Sequence, residues 1–310
     1  MRTMITCFDI GGSAIKCAVA AKDGRIGDLQ RVPTPTHDFT AFTETMRGLI
    51  AAGGASKGVA ISIAGVVDPA SGRIKCANIP CIDGRTLAAD LTDALGLPVW
   101  IINDADSFAL AEAQAGAGRG HANVFGLILG TGVGGGLVYN GQLIGGPGGF
   151  AGEWGHGPVT AQLAGTPPQP IPRFACGCGQ SGCLDTVGGA RGLERLHQHL
   201  HQHQQAKDSR AIIDAWQAGD TQAAITIDCF VDLIAGPLAM LVNTVGASIL
   251  PVGGGLSNSA PLIARLDKAV RAAILRQTDA PIVVPGQSGT EPGLIGAAWL
   301  GLAKLGGAHA

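Results

Sequence analysis

The sequence predicts an α/β protein of two similar domains, each opening on a β-hairpin whose turn is made of glycine. Apolar runs of strand length alternate with helical stretches over most of the 310 residues. The succession strand, Gly-Ser or Gly-Thr, strand, Asp-Gly or Asn-Gly occurs twice. Gly12-Ser13 corresponds to Gly130-Thr131 and Asp23-Gly24 to Asn140-Gly141, with spacings that agree to within one residue. A composition of 46% apolar and 14% charged residues, with 49 glycines, describes a globular chain rich in tight turns rather than a disordered one.

The elements follow in order. Met4–Ile10 is apolar and β-prone, Gly11-Gly12-Ser13 turns the chain, and Cys17–Ala20 returns it. Asp23-Gly24 is a strong hairpin signal before a third strand over Ile26–Val32. Phe39–Ala52 reads as a helix, Gly58–Ile63 as a buried strand and Ile74–Cys76 as a short one. Thr86–Leu95 is helical and stops at Gly96 and Pro98; Val99–Ile102 is a strand and Ser107–Ala117 a helix. The second hairpin flanks Gly130–Gly135, and a Gly/Pro/Cys-rich insertion fills 145–185. Residues 190–245 are mostly helical, Ser248–Val252 is a strand, 259–276 a helix, Ile282–Val284 a strand and 293–304 a final helix. The expected domains are 1–117, with the helix at about 290–310 packing back on it, and 118–289, carrying a metal loop at about 150–185.

Several function classes are excluded. A formal charge of −2 gives no basis for nucleic-acid binding. The N-terminus lacks a signal core, and no apolar run reaches about 18 residues, so no membrane segment is expected. Eight cysteines without a secretion signal point to the reducing cytoplasm, where clustered cysteines are metal ligands more often than disulfides. Gly130, Gly132 and Gly135 satisfy the dinucleotide pattern G-x-G-x-x-G, but that pattern must open a helix. Here the chain continues as a strand through Leu137–Tyr139, and Glu153, at the distance of a ribose-binding acid, lies in a loop.

Three sets of residues carry chemistry. Bare glycine turns expose converging backbone N–H groups that suit a phosphate. Gly11, Gly12 and Ser13 form one such turn, and Gly130, Thr131, Gly132 and Gly134 the other, with hydroxyls from Ser13 and Thr131. A third run, Val252 to Ser257 with Gly254 and Gly255, suits an adenosine contact. Asn103-Asp104-Ala105-Asp106 follows a strand and precedes a helix, where a carboxylate can act as a general base toward a substrate hydroxyl; Asn and Asp there are also ordinary helix caps. Cys176-x-Cys178-x4-Cys183 supplies three soft ligands, and His156, twenty residues earlier, is the candidate fourth for a tetrahedral zinc. Buried or redox thiols are the alternative. Four protein ligands would make the zinc structural, ordering a loop that is otherwise entropically costly.

DIGGSAIK, NDAD, LGTGVGGG, GEWGH, CGCGQSGC and VGGGLS, in this order, resemble the ROK family of sugar kinases over about residues 5–303. Within it, GLILGTGVGGGL, ANIP followed by LAADL, and CGCGQSGC followed by GARG look most like the kinases of N-acetylglucosamine. The resemblance implies the actin-like ATPase fold: two ribonuclease-H-like domains with a nucleotide and sugar cleft between them. It implies ATP-dependent phosphorylation of the 6-hydroxyl of an N-acetylhexosamine, N-acetyl-D-glucosamine foremost, with N-acetylmannosamine or glucose as alternatives. Asp104 then matches the general base and Asn103 a sugar-hydroxyl partner, leaving Asp106 as the helix cap. Asp9 matches the acid beside Mg2+, and Lys16 belongs to the same nucleotide-binding motif. Gly65 and Asn78 match sugar-pocket positions, as do Glu153 and His156, the histidine serving zinc and sugar with different ring nitrogens. Asp185 occupies a position where glutamate is common, one methylene short of the usual sugar contact. ATP, Mg2+ and a structural Zn2+ are the implied cofactors, and a homodimer the implied assembly.

The family also contains sugar-responsive repressors, but those carry a DNA-binding domain ahead of the first glycine hairpin. Here that hairpin begins within ten residues of Met1, and Asp104 with both turns argues against a silent sensor. His197, His199, His201 and His203 form two i, i+4 pairs on a polar stretch that reads as a solvated helix end rather than a metal site. Cys7, Cys17 and Cys229 read as core, and Cys76 and Cys81 as unbridged thiols.

Overall fold

A computed structural model of the chain describes residues 4–146, 148–202 and 207–307. The first stretch runs β1 (Ile5–Ile10), β2 (Ala14–Ala20), β3 (Gln30–Pro33), α1 (Phe39–Gly53), β4 (Val59–Ile63), β5 (Val66–Val67), β6 (Ile74–Lys75), α2 (Leu87–Leu95), β7 (Val99–Asn103) and α3 (Asp104–Ala115). Then come β8 (Asn123–Leu129), β9 (Val133–Tyr139), β10 (Gln142–Leu143), β11 (Leu163–Ala164) and β12 (Gln169–Pro170). The last stretch holds α4 (Asp185–Gly188), α5 (Ala190–His201), α6 (Ser209–Gln217), α7 (Thr221–Val245), β13 (Leu250–Gly253), α8 (Ala260–Ala273), β14 (Val283–Pro285) and α9 (Pro292–Leu305).

Two five-stranded sheets share one layout: β3-β2-β1-β4-β7 and β10-β9-β8-β13-β14. β1, β2 and β3 are antiparallel neighbours, and β4 and β7 add in parallel. In the second sheet β9 and β10 are antiparallel, while β13 lies parallel to both β8 and β14. The twofold hairpin pattern in the sequence is therefore a repeated sheet.

The chain divides into two compact units. One comprises Met1–Arg119, Gly136–Ala151 and Ser288–Ala310; the other comprises Gly120–Gly135 and Gly152–Gln287. In the first, every residue of β4 is buried and β1 nearly so, which explains why both strands read as unbroken apolar runs. One core contains Phe8, Ile61, Phe42, Met46 and Leu91, joining the sheet to α1 and α2. α9 packs on β1, β4 and α3. Asp38 caps α1, its carboxylate accepting from the N–H groups of Thr40 and Ala41.

Three sequence expectations change. α3 begins at Asp104 rather than Ser107, because the Asn103 side chain accepts from the N–H groups of Ala105 and Asp106 and starts the helix there. Asn103 is thus the cap. Asp106 is fully buried, and its Oδ2 instead accepts from the N–H of Gly149 at 2.8 Å. α7 is 25 residues long and apolar enough to cross a membrane by length and composition, contrary to the expectation that no stretch would be. Its Phe230, Leu233, Ile234 and Leu238 are buried within the second unit, where it packs on α5, α6 and α8. An all-round apolar helix is what a core position demands. Finally, His197 is not solvated. It is 1% exposed, with Nδ1 2.8 Å from the Thr226 hydroxyl, which also lies 3.0 Å from His201 Nε2. His203 lies outside the described residues.

Candidate active site and metal centre

In the first unit, the sheet delivers its chemistry at the C-terminal ends of β1 and β7. Asp9, Gly11, Gly12, Ser13, Lys16, Ala64 and Asp104 line a single cavity of about 310 Å³. Gly12 is required there by close approach: a Cβ would stand 3.0 Å from the Asn78 carbonyl oxygen and 3.1 Å from its Cβ. Asn78, exposed after β6, is therefore held against the first glycine turn. Asp104 is exposed in the first turn of α3, where the helix N-terminus favours a carboxylate, and its Oδ1 accepts from the Ala105 N–H at 3.0 Å. Asn103 is 6% exposed; beyond its cap bonds, its Nδ2 donates to the Gly65 carbonyl at 3.0 Å. Gly65, Asn103 and Asp104 are thus fixed to one another by the turn after β4 and the start of α3.

Lys16 pairs with two carboxylates: its Nζ is 2.6 Å from Glu291 Oε2 and 3.6 Å from Asp9 Oδ2. Burial raises the Asp9 pKa above the ordinary carboxylate value; Lys16 opposes the rise and Glu291 adds to it. Burial alone would lower the Lys16 pKa, but the bonds to Glu291 and Asp9 more than offset this and keep it charged. Glu291 has no motif around it in the sequence, and its partner lies 275 residues away. The Gly148-Gly149 loop was equally hidden: a Cβ on Gly149 would stand 2.8 Å from Asn103 Cγ.

In the second unit, the insertion folds onto the second glycine turn. Trp154 Nε1 donates to the Gly134 carbonyl at 3.0 Å, and its ring meets Phe125 edge-on. The Asp185 N–H donates to the Gly155 carbonyl at 2.9 Å. These contacts bring His156 to Cys176, Cys178 and Cys183, with all four donor atoms within 4.8 Å of one another. Cys178 Sγ lies 3.6 Å from Cys183 Sγ, and Cys176 Sγ 3.7 Å from His156 Nδ1. A tetrahedral zinc with Zn–S bonds of about 2.3 Å needs sulfur–sulfur edges of roughly 3.8 Å, so the donor set fits that ion. Burial pushes the Cys176 thiol up to about 11, while the Gln180 backbone N–H brings Cys178 down to about 7. The readily formed thiolate is thus Cys178.

His156 uses both ring nitrogens: Nδ1 faces Cys176, and Nε2 is 3.6 Å from Glu153 Oε2. A carboxylate behind a ligating imidazole fixes its tautomer. Burial raises the Glu153 pKa, with His156 opposing and Asp185 adding. The third glycine run also lies in this unit. Gly254 adopts φ +85°, and a Cβ there would stand 2.5 Å from the Leu129 carbonyl carbon, so the turn after β13 lies flat on the end of β8. Beside it, Gly255, Asn258, Ser259, Arg210 and Asp214 line a cavity of about 520 Å³. Ser259 Oγ is buried there and has no hydrogen-bond partner among the described residues. Nothing in the local sequence of α6 marked Arg210 or Asp214 as cavity residues.

The comparisons with known proteins agree with one another. The model of the ROK family matches residues 5–304. The chain is 37% identical over 298 residues to an N-acetylgalactosamine kinase, AgaK, of Shewanella sp. (strain ANA-3), covering 95% of each. It is 34% identical over 301 residues to an N-acetyl-D-glucosamine kinase of Yersinia enterocolitica (serotype O:8 / biotype 1B), covering 96% of this chain and 99% of that one. Among solved structures, a ROK hexokinase from Thermus thermophilus superposes with a TM-score of 0.82 at 30% identity, covering 99% of both chains.

Proposed function

Since the chain belongs to the ROK family, with its actin-like ATPase fold, and is an ATP-dependent sugar kinase, we propose that it phosphorylates the 6-hydroxyl of an N-acetylhexosamine, with N-acetyl-D-glucosamine preferred and Asp104 as general base. The observation that carries this reading is the 310 Å³ cavity, whose walls include Asp9, the first glycine turn and Asp104. A phosphoryl-transfer site needs these three together: a carboxylate that can hold a phosphate-neutralising cation, backbone donors for the phosphate oxygens and a base for the acceptor alcohol.

Asp104 accepts the proton of the 6-hydroxyl as that oxygen bonds to the γ-phosphorus. The bond from the γ-phosphorus to the bridging oxygen breaks, and its electron pair leaves with ADP. The N–H groups of the Gly11–Ser13 turn and of the Gly130–Gly132 turn bind phosphate oxygens. Lys16 adds positive charge while Glu291 fixes its ammonium group. Asp9 would hold Mg2+ through water, which supplies neutralisation of the phosphate charge. Glu153 and His156 orient sugar hydroxyls, and His156, Cys176, Cys178 and Cys183 would hold one structural zinc that would keep both in place. The turn of Gly254 and Gly255 and the cavity beside it take the adenosine.

N-acetylgalactosamine is the second reading, favoured by the first of the two relatives; it differs from N-acetylglucosamine only at C4. The test is kcat/KM for N-acetylglucosamine, N-acetylgalactosamine, N-acetylmannosamine and glucose, with wild type and Asp104→Asn. N-acetylglucosamine should lead by at least about tenfold, the scale that one missing contact gives. Asp104→Asn should lose about 10²- to 10⁴-fold in kcat and still bind ATP. Turnover of Asp104→Asn at the wild-type rate would remove the base, and a lead for N-acetylgalactosamine would replace the substrate.

A further inference from the structure

Asp185 stands two residues beyond Cys183, in the first turn of α4, and its carboxylate is turned to the second glycine turn. Its Oδ1 accepts from the backbone N–H of Val133 at 2.8 Å, and a Cβ on Gly132 would collide with that same oxygen. The segment that follows grips the turn at two more points. The Ala190 N–H donates to the Gly130 carbonyl at 2.8 Å and the Arg191 N–H to the Thr131 carbonyl at 3.3 Å. A Cβ on Gly189 would stand 2.6 to 2.7 Å from the Gly132 backbone, so the two chains lie in contact. Within the turn, the Gly130 N–H donates to the Gly132 carbonyl at 3.1 Å. The carbonyls of Gly130, Thr131 and Gly132 and the N–H groups of Gly130 and Val133 are all engaged. Among the described residues, no protein backbone or side chain accepts from the N–H of Thr131 or Gly132, which are the donors a phosphate would use.

A loop of this kind binds an anion only while its donors converge, and glycine by itself imposes no conformation. The rigidity must come from outside the turn. A charged acceptor at one end makes a stronger bond than a neutral carbonyl would, and Asp185 supplies that acceptor. We propose that Asp185 is a positioning residue for the nucleotide: it fixes the Gly130–Gly132 turn in its phosphate-receiving shape, and its task is not a sugar contact. The shorter side chain suits this task, because the approach to Gly132 leaves no room for bulk. The inference rests on the reading of that turn as a phosphate site.

The test is calorimetric titration of ADP and, separately, of N-acetylglucosamine into wild type, Asp185→Ala and Asp185→Asn. Hydrogen exchange at the Val133 amide is followed in each protein. Asp185→Ala should weaken ADP by about tenfold or more, speed exchange at Val133 and change sugar affinity by less than about threefold. Asp185→Asn keeps an acceptor oxygen, so it should restore most of the ADP affinity and the amide protection. If Asp185→Ala does not fold, Asp185→Asn alone decides. A tenfold loss of sugar affinity with ADP affinity intact overturns the proposal, and so does an Asp185→Ala variant with both affinities within about threefold of wild type. Because ADP is titrated without sugar, the two readings fail separately. A wild type that phosphorylates no sugar while Asp185→Ala loses ADP removes the proposed function only. An active wild type whose Asp185→Ala variant binds ADP normally removes the positioning role only.

Discussion

Asp9 and Asp104 line one cavity, yet their surroundings prepare them for different work. Asp104 is exposed at a helix start, open to the cavity. Asp9 is sunk at the end of β1 with its charge disfavoured by burial, so its folded pKa exceeds its unfolded one. Between those two values the native state binds the proton more tightly, and stability falls as pH rises through that window. Below the unfolded value the penalty is absent; above the folded value it is complete. Asp9→Asn should therefore melt higher than wild type at pH 7, and the gain should vanish as pH approaches the ordinary carboxylate range. Melting curves across pH check this, and a neutral-pH melting point below that of wild type would contradict it. Asn103 and Asp104 were legible in the sequence because they stand between an apolar strand and a helix, and Asp9 through the resemblance of the DIGGSAIK motif that it opens. Glu291 was not, because an ion pair 275 residues apart leaves no local pattern.

At the scale of elements, the insertion between β10 and α4 is ordered by few contacts of its own. Among the described residues its strands β11 and β12 are two residues each, and its apolar anchors are few. A bound zinc would close this segment from His156 to Cys183, where a structural site contributes folding free energy directly. Cys178→Ser should lose the metal, about one per chain in wild type, and melt several degrees lower. Elemental analysis with calorimetry reads both, and an unchanged melting point in a zinc-free variant would deny the metal its structural part. The cysteine spacing was readable because three of the four donors sit within eight residues. The burial of His197 was missed for the opposite reason: the hydroxyl that receives it is on α7, 29 residues later. The start of α3 depended on which of three polar side chains caps it, and only the extended backbone of Asn103 admits the cap geometry.

For the molecule as a whole, the repeated sheet was visible in advance as two spaced turns; the last helix was expected to pack back on the first domain, but no sequence pattern named the strands it covers. α9 lies on β1 and β4 so closely that a Cβ on Gly301 would strike Ile5 Cδ1 and stand 3.0 Å from Ala60 Cβ. Gly301→Leu should therefore destabilise the protein by about 1–3 kcal/mol through overpacking. The loss should appear as faster amide exchange in β1, nearly three hundred residues upstream; protection there equal to wild type would disprove the packing argument. The same contact sets a timetable for synthesis. A ribosome releases β1 and β4 long before it makes the helix that covers them, and every intervening residue must emerge first. The apolar back of that nascent sheet then waits bare for roughly tens of seconds at the usual pace of synthesis, so the first unit completes its core only when the last helix emerges.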